Sequence, residues 1–153
     1  MTVPPVKLST VDDTRTFGRQ LAGRLRAGDL VVLTGPLGAG KTALAQGIGA
    51  GLGVAGEVTS PTFVIARVHR GGRVPMVHVD MYRLGAVADP RAEVDDLDLD
   101  ASVEDSVTLV EWGEGIVEQL VDAYLEIRID RLDDETRVVD LIGHGGDWAE
   151  RLR

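Results

Sequence analysis

The stretch LVVLTGPLGAGKT, Leu30 to Thr42, decides the fold of this chain. Its first five residues form a short, continuous apolar run, which is typical of a buried parallel strand. Residues Gly35 to Thr42, here called the glycine-rich loop, match the spacing G-x-x-x-x-G-K-[ST]. Residues Thr42 to Leu52 then favour a helix. A strand, a glycine-rich loop and a helix in this order predict a phosphate-binding loop.

The residue types in the glycine-rich loop each have a chemical reason. Glycines let successive backbone N–H groups converge on one anion, and the N-terminus of the following helix adds partial positive charge. Lys41 can then reach the β- and γ-phosphates of a nucleoside triphosphate, and the Thr42 hydroxyl can ligate a bridging Mg²⁺. The alternative, a glycine-rich turn that happens to precede a lysine, is disfavoured because strand, loop and helix are all present. We therefore predict a magnesium-bound nucleoside triphosphate at this loop.

Two further acids follow predicted strands. Asp80 closes the run MVHVD and Glu111 closes VTLVE. In open α/β sheets the ligand crevice lies beyond the carboxyl ends of the strands, so both carboxylates can approach the phosphates. Either one can ligate the metal or orient water, and each can also be a solvated acid at a strand end. His78 alternates with Asp80 on one strand face, where it either assists the site or packs in the core.

Composition limits the other possibilities. The chain has 153 residues, enough for one domain over 1–153, and we expect the tail from about residue 143 to be loose. It contains no cysteine and no apolar run near the ~20 residues of a membrane span, so we expect a cytoplasmic protein without a membrane segment. With 16 basic and 25 acidic residues the net charge is −9, which argues against strong nucleic-acid binding by the chain itself.

The remaining patterns complete an α/β fold. Ser9 to Arg26 reads as a helix that starts at Ser9 or Thr10, with Asp12 or Asp13 in its first turn. Two hairpins are predicted, one from Thr62–Val68 and Val74–Asp80, the other from the runs YLEIRID and TRVVDLI. We predict a single P-loop NTPase-like domain with a mostly parallel central sheet, flanking helices and added antiparallel hairpins.

Four motifs taken together resemble one family. GPLGAGKT, TSPTF, HVDMYRL and LVEW occur in this order between about Leu8 and Gly113. In this combination they resemble TsaE (YjeE), the small bacterial ATPase of tRNA threonylcarbamoyladenosine biosynthesis. The segment EVDDLDLDA, Glu93 to Ala101, departs from the usual family pattern, which affects a surface and not the nucleotide site.

The resemblance implies roles for residues of this sequence. Lys41, Asp80 and Glu111 would be the catalytic residues, and Thr42, Asp80 and Glu111 would hold Mg²⁺. Ser60, Pro61 and Thr62 fall on a switch-like segment. The second motif of the family is matched by His78, Asp80, Tyr82 and Arg83, and Trp112 follows the matching acid Glu111. The residues implied to contact ATP are Thr14, Gly38, Ala39, Gly40, Lys41, Thr42, Ala43 and Thr62.

The resemblance also implies a partner. TsaE-like proteins are similar to an ATP-driven accessory that docks on the TsaB–TsaD transferase, so tRNA would be met only through that complex. Three alternatives remain open to different degrees. A small-molecule kinase would need a second substrate pocket, and a guanine-specific GTPase commonly uses an Asn-Lys-x-Asp loop, but the chain has no asparagine. A non-catalytic scaffold gated by ATP occupancy is not separable from an ATPase by sequence.

Overall fold

The computed structural model of the chain describes residues 5–36, 40–54, 66–80, 105–111, 121–132, 134 and 136–152. Within these ranges the chain forms one mixed sheet and the helices that pack on it. The elements are β1 (Val6–Leu8), α1 (Val11–Ala22), β2 (Leu30–Thr34), α2 (Lys41–Leu52), β3 (Ala66–His69), β4 (Met76–Asp80), β5 (Val107–Glu111), β6 (Tyr124–Arg131), β7 (Arg137–His144) and α3 (Trp148–Arg151).

The sheet has seven strands in the order β1-β7-β6-β2-β5-β4-β3. The four central strands β6, β2, β5 and β4 run parallel, whereas β1, β7 and β3 pair antiparallel with their neighbours. Every residue of β2 and of β5 is buried, as expected for parallel strands covered on both faces. The predicted α/β class with a mostly parallel centre and antiparallel additions is confirmed.

The predicted hairpins are present in the described residues. β3 pairs with β4 on either side of the Gly71–Gly72 turn, and β6 pairs with β7 over their full lengths. Residues 62–65, predicted as the start of the first hairpin, lie outside the described residues. Strand β1 was not predicted, because three residues paired on the sheet edge carry too short a pattern to detect.

Helix α1 begins as predicted and ends earlier. The Thr10 side chain accepts a 3.0 Å hydrogen bond from the Asp13 backbone N–H, which caps the first turn. The helix ends at Ala22, where the backbone N–H groups of Gly23 and Arg24 bond to carbonyls three residues back. The last residues of the predicted helix therefore form tight turns.

Helices α1 and α2 pack against each other and approach closely through glycines. A Cβ on Gly47 would lie 2.2 Å from the carbonyl oxygen of Arg15, and one on Gly51 would lie 2.6 Å from that of Arg19. From the other helix, a Cβ on Gly18 would lie 2.6 Å from the carbonyl oxygen of Leu44. The glycines of α2, unfavourable for an isolated helix, are thus explained by backbone contact between the two helices.

The C-terminal tail is not loose, which corrects the sequence-based expectation. Strand β7 continues to His144, and Trp148 and Leu152 are each only 4% exposed within the core. Arg151 donates to both carboxylate oxygens of Asp29, at 2.8 and 2.5 Å, and its guanidinium lies 4.0 Å from the Trp148 ring centre. The glycine-rich, charged composition concealed these contacts because Asp29 is more than a hundred residues away in sequence.

In the described ranges, no helix is both long enough and apolar enough to cross a membrane.

Candidate functional site

The glycine-rich loop leaves the central strand and enters a helix, as predicted. Strand β2 ends at Thr34 and α2 begins at Lys41. Gly35 has φ of 152° and Gly40 has φ of 110°, both in the region that side-chain-bearing residues rarely adopt. A Cβ on Gly35 would also lie 2.2 Å from the carbonyl oxygen of Ile129. Both outer glycines of the motif are therefore required by the backbone path.

The N-terminus of α2 provides donors for an anion. Gly40 is the N-cap, and it has no side chain to cap the helix. The first helical backbone bond runs from the Leu44 N–H to the Gly40 carbonyl at 3.0 Å, so the N–H groups of Thr42 and Ala43 have no acceptor within the helix. Uncapped donors and the helix dipole together favour a phosphate at this position.

Lys41 lies at the same helix end and is held against the loop. Its side-chain ammonium donates a 2.8 Å hydrogen bond to the carbonyl oxygen of Gly35, and the residue is only 6% exposed. The contact spans the loop from its first glycine to its lysine. The positive charge is thereby placed beside the uncapped donors of α2, which fits a polyphosphate.

The two predicted acids lie at the carboxyl ends of adjacent strands. The β4–β5 register pairs the Cα atoms of Asp80 and Glu111, and the β2–β5 register pairs Glu111 with Leu33, two residues before Gly35. Adjacent strands lie about 4.8 Å apart, so the Glu111 backbone is next to the strand that leads into the loop. The Asp80 side chain lies outside the described part of the structure.

Glu111 is buried and has a histidine partner. Its Oε2 lies 2.7 Å from Nε2 of His78, and the two side chains are 5% and 0% exposed. The Glu111 side chain makes no other polar contact in the described part of the chain, so its Oε1 has no partner there. Mg²⁺ takes few protein ligands besides phosphates and water, and a buried carboxylate with one oxygen available, on the strand beside β2, is suited to be one of them.

Thr14, which the family resemblance implies to contact ATP, lies in the first half of α1. It is 1% exposed, and its hydroxyl donates to the Thr10 carbonyl at 3.3 Å. Thr14 is one turn before Gly18, the residue whose backbone contacts Leu44 of α2. Because the two helices run in the same direction, this turn of α1 lies toward the first turn of α2.

The structure adds Arg137, which sequence reasoning did not single out. A Cβ on Gly40 would lie 3.3 Å from Nε of Arg137 and 3.4 Å from Cδ1 of Ile129. A guanidinium thus flanks the loop from strand β7, almost a hundred residues away in sequence. Nothing in the local pattern distinguishes this arginine from the others in the chain, so only the sheet topology reveals it.

A second charged group contacts the residue that precedes the glycine-rich loop. Glu126 on β6 accepts a 3.3 Å hydrogen bond from the hydroxyl of Thr34, the residue before the loop, and contacts His144 and Arg128 at 2.9 Å each. Burial opposes ionisation of Glu126, but the hydrogen bond with His144 and the charge of Arg128 outweigh it, so the pKa of Glu126 lies below its usual value. His144 in turn stacks on Tyr124 with ring centres 4.4 Å apart.

Several predicted site residues lie outside the described residues. These are Gly38, Ala39, Thr62, Ser60, Pro61, Tyr82, Arg83 and Trp112. The residues that the structure does bring together are Lys41, with the first turn of α2, and Glu111, on the strand beside β2.

Comparison with known proteins identifies relatives of this chain. The family model described as "Threonylcarbamoyl adenosine biosynthesis protein TsaE" matches residues 8–139. A Streptomyces coelicolor protein named tRNA threonylcarbamoyladenosine biosynthesis protein TsaE is 58% identical over 141 residues, covering 88% of this chain and 93% of the relative. A Mycobacterium bovis protein of the same name is 52% identical over 137 residues, covering 86% and 82%.

A solved structure shows the same fold. The crystal structure of Bacillus subtilis YdiB superimposes with a TM-score of 0.81 at 28% identity, covering 99% of this chain and 92% of YdiB. Both the sequence motifs and the fold therefore match, and the chain belongs to the TsaE family of threonylcarbamoyl adenosine biosynthesis proteins.

Proposed function

We propose that this protein binds and hydrolyses ATP with Mg²⁺ and thereby acts as a nucleotide-dependent switch in tRNA threonylcarbamoyladenosine modification. The names of its relatives support the pathway. The observation that supports the chemistry is the glycine-rich loop, with Lys41 bonded across it to Gly35, no side-chain cap on α2, and Glu111 on the strand beside β2. This arrangement combines donors for a polyphosphate with a carboxylate for a metal.

The nucleotide would be held mainly by backbone donors. The N–H groups of residues 38–43 would cradle the phosphates, and the Lys41 ammonium would neutralise charge on the β- and γ-phosphates. Thr14 and Thr62 would contact the nucleotide, and Arg137 would add a positive charge on the far side of Gly40. Donors near the β,γ-bridging oxygen would strengthen their contacts as that oxygen gains negative charge, when its bond to the γ-phosphorus breaks.

The metal would be held by few protein groups. The Thr42 hydroxyl and the Glu111 and Asp80 carboxylates are the ligands that the chain offers, with phosphate oxygens and water completing the coordination. Mg²⁺ would supply charge neutralisation between the β- and γ-phosphates. Whichever carboxylate does not bind the metal directly would orient the attacking water.

The reaction is ordinary hydrolysis. A water oxygen forms a bond to the γ-phosphorus as the bond from that phosphorus to the β,γ-bridging oxygen breaks, giving ADP and phosphate. The water gives up one proton to a carboxylate or to solvent, and its other proton stays on the phosphate that is formed. We expect slow turnover by the isolated protein, because a partner-supplied arginine or surface accelerates related reactions by about 10³- to 10⁵-fold.

The partner is proposed to be the TsaB–TsaD transferase, on the basis of the family. The net charge of −9 favours tRNA contact through that complex over direct binding. We expect the isolated chain to show negligible tRNA affinity at physiological salt. Tight, salt-sensitive binding to tRNA would contradict this part of the proposal.

The test combines binding with single-turnover kinetics. Calorimetry should detect ATP and ADP binding in the presence of Mg²⁺ by the isolated protein. Hydrolysis of γ-labelled ATP is then followed with and without TsaB–TsaD. Acceleration by the partner supports the switch, whereas full stimulation of the transferase by a non-hydrolysable ATP analogue would indicate the non-catalytic scaffold. No binding of any adenine nucleotide would overturn the proposal.

A further inference from the structure

The strongest unassigned feature is His78, which is fully buried beside the proposed metal ligand Glu111. Its side chain is 0% exposed and its Nε2 lies 2.7 Å from Glu111 Oε2. The two residues are on neighbouring parallel strands, with the Cα of His78 paired to Leu109, two residues before Glu111. Side chains two apart on a strand lie on one face, so this register brings the ring against the carboxylate from the side.

The second ring nitrogen makes the contact with Glu111 informative. Nδ1 of His78 is buried and has no hydrogen-bond partner among the described residues. Burying this nitrogen without a hydrogen-bond partner costs free energy, and an apolar side chain at this position would avoid that cost. A purely packing role does not explain a histidine here, whereas the contact of Nε2 with Glu111 does.

The contact with His78 also gives the two carboxylate oxygens of Glu111 different surroundings. Oε2 is taken by His78, and Oε1 has no partner in the described part of the chain. A carboxylate anchored through one oxygen has its plane and rotamer fixed. Hydrogen-bonded partners of metal-ligating carboxylates orient the ligand in this way.

The geometry points to His78 as a positioning residue for Glu111: its Nε2–H donates to Oε2 and keeps Oε1 available for the metal. The inference rests on the proposed ATPase function. It requires no change in the protonation of either group during turnover. His78 itself touches neither nucleotide nor metal.

Three substitutions separate positioning from packing. The amide nitrogen of His78→Gln reaches about as far as Nε2 and can still donate to Glu111, whereas that of His78→Asn corresponds to Nδ1 and falls short. His78→Leu keeps much of the volume without any donor. We expect Asn and Leu to weaken Mg²⁺ binding to the protein–nucleotide complex and to lower kcat by about 10- to 100-fold with little change in KM, and Gln to restore most of both.

Metal affinity is measured with Mn²⁺ by electron paramagnetic resonance on the ADP complex, and ADP affinity is measured separately in chelator. Unchanged metal affinity and kcat in the Asn and Leu variants would overturn the inference. Equal losses in all three variants would also overturn it, because they would indicate a packing role. ADP binding in chelator should be the same in every variant, since the phosphate cradle is a separate part of the site.

A measurement on the unsubstituted protein is independent of both nucleotide and folding of the variants. Nitrogen-15 NMR of the imidazole side chains should show the proton of His78 on Nε2. A His78 ring with its proton on Nδ1 and none on Nε2 would overturn the inference even if ATP hydrolysis is confirmed. An Nε2 proton in a protein that binds no nucleotide would instead contradict the proposed function and leave the His78–Glu111 contact in place.

Discussion

The Lys41 ammonium and the Gly35 carbonyl are joined by a 2.8 Å hydrogen bond that closes the glycine-rich loop on itself. Lys41 is only 6% exposed, and this contact gives its ammonium group a hydrogen-bond acceptor. A phosphate entering the loop would offer the ammonium a charged acceptor in place of a neutral one, and charge-assisted hydrogen bonds are roughly twice as strong. The ammonium is thus already positioned for a phosphate, and it does not have to be desolvated when the phosphate binds.

Replacing Lys41 by alanine should remove nucleotide binding. The backbone donors alone do not neutralise a triphosphate, so we expect ATP and ADP affinity measured by calorimetry to fall by about 100-fold or more. Lys7→Ala is the matched control, because Lys7 is the one other lysine of the chain and lies exposed on β1. Retained ATP affinity in Lys41→Ala, or an equal loss in Lys7→Ala, would contradict the proposed site.

Replacing Glu111 by alanine should separate hydrolysis from binding. ADP binding in chelator should stay largely intact, since the phosphate donors are on the loop and α2. Single-turnover hydrolysis should fall by about 100-fold or more, the usual loss for a group that handles the metal or the water. If turnover were unchanged, the role would pass to Asp80, and Asp80→Ala would be measured in the same way.

Adding a methyl group at the seam between α1 and α2 should destabilise the fold. In Gly47→Ala the new Cβ would meet the Arg15 carbonyl at 2.2 Å, so the two helices must separate. We expect a net loss of about 1–3 kcal/mol in the free energy of unfolding measured with urea, despite the better helix propensity of alanine. Gly23→Ala, where φ is −63° and the nearest contact is 3.3 Å, is the control and should change stability by less. A stabilised Gly47→Ala protein would contradict the close approach.

The contact of Arg151 with Asp29 should anchor the C-terminus. Arg151→Ala leaves the Asp29 carboxylate, which is 7% exposed, without its bidentate partner, and we expect a loss of about 2–4 kcal/mol in the free energy of unfolding. Arg26→Ala is the control, because the Arg26–Asp147 pair is 62% and 49% exposed and exposed ion pairs contribute little to stability. Similar small losses in both variants would mean that the tail is not held by this contact.

The carboxylate of Glu126 should make stability depend on pH. Folding lowers its pKa below the ordinary value of 4.5, so the folded state binds fewer protons than the unfolded state. The resulting stabilisation is present above that value and is lost as the pH falls through the lower, folded-state pKa. Urea unfolding from about pH 6 to about pH 3 should therefore show a steeper loss for the natural protein than for Glu126→Gln. Parallel curves would show that its ionisation is not favoured by folding.

Local patterns in the sequence were sufficient for the elements that form the site. Strand β2 has the predicted bounds, α2 begins one residue before Thr42, and Thr10 is the cap that the first helix requires. These features depend on residues close together in the chain: apolar runs, a capping side chain, and glycines where φ must be positive. The strand-end positions of Asp80 and Glu111 followed from the same kind of pattern.

The sequence by itself thus determined the parallel α/β class, the glycine-rich loop with its lysine, and two acids at strand ends. Only the tertiary structure decided which residues distant in sequence come together. These pairs are His78 with Glu111, Arg137 with Gly40, Glu126 with Thr34, and Arg151 with Asp29. The physical reason is that each of these contacts depends on strand order and register or on helix docking. Those follow from how the whole core packs, and no short stretch of residues encodes them.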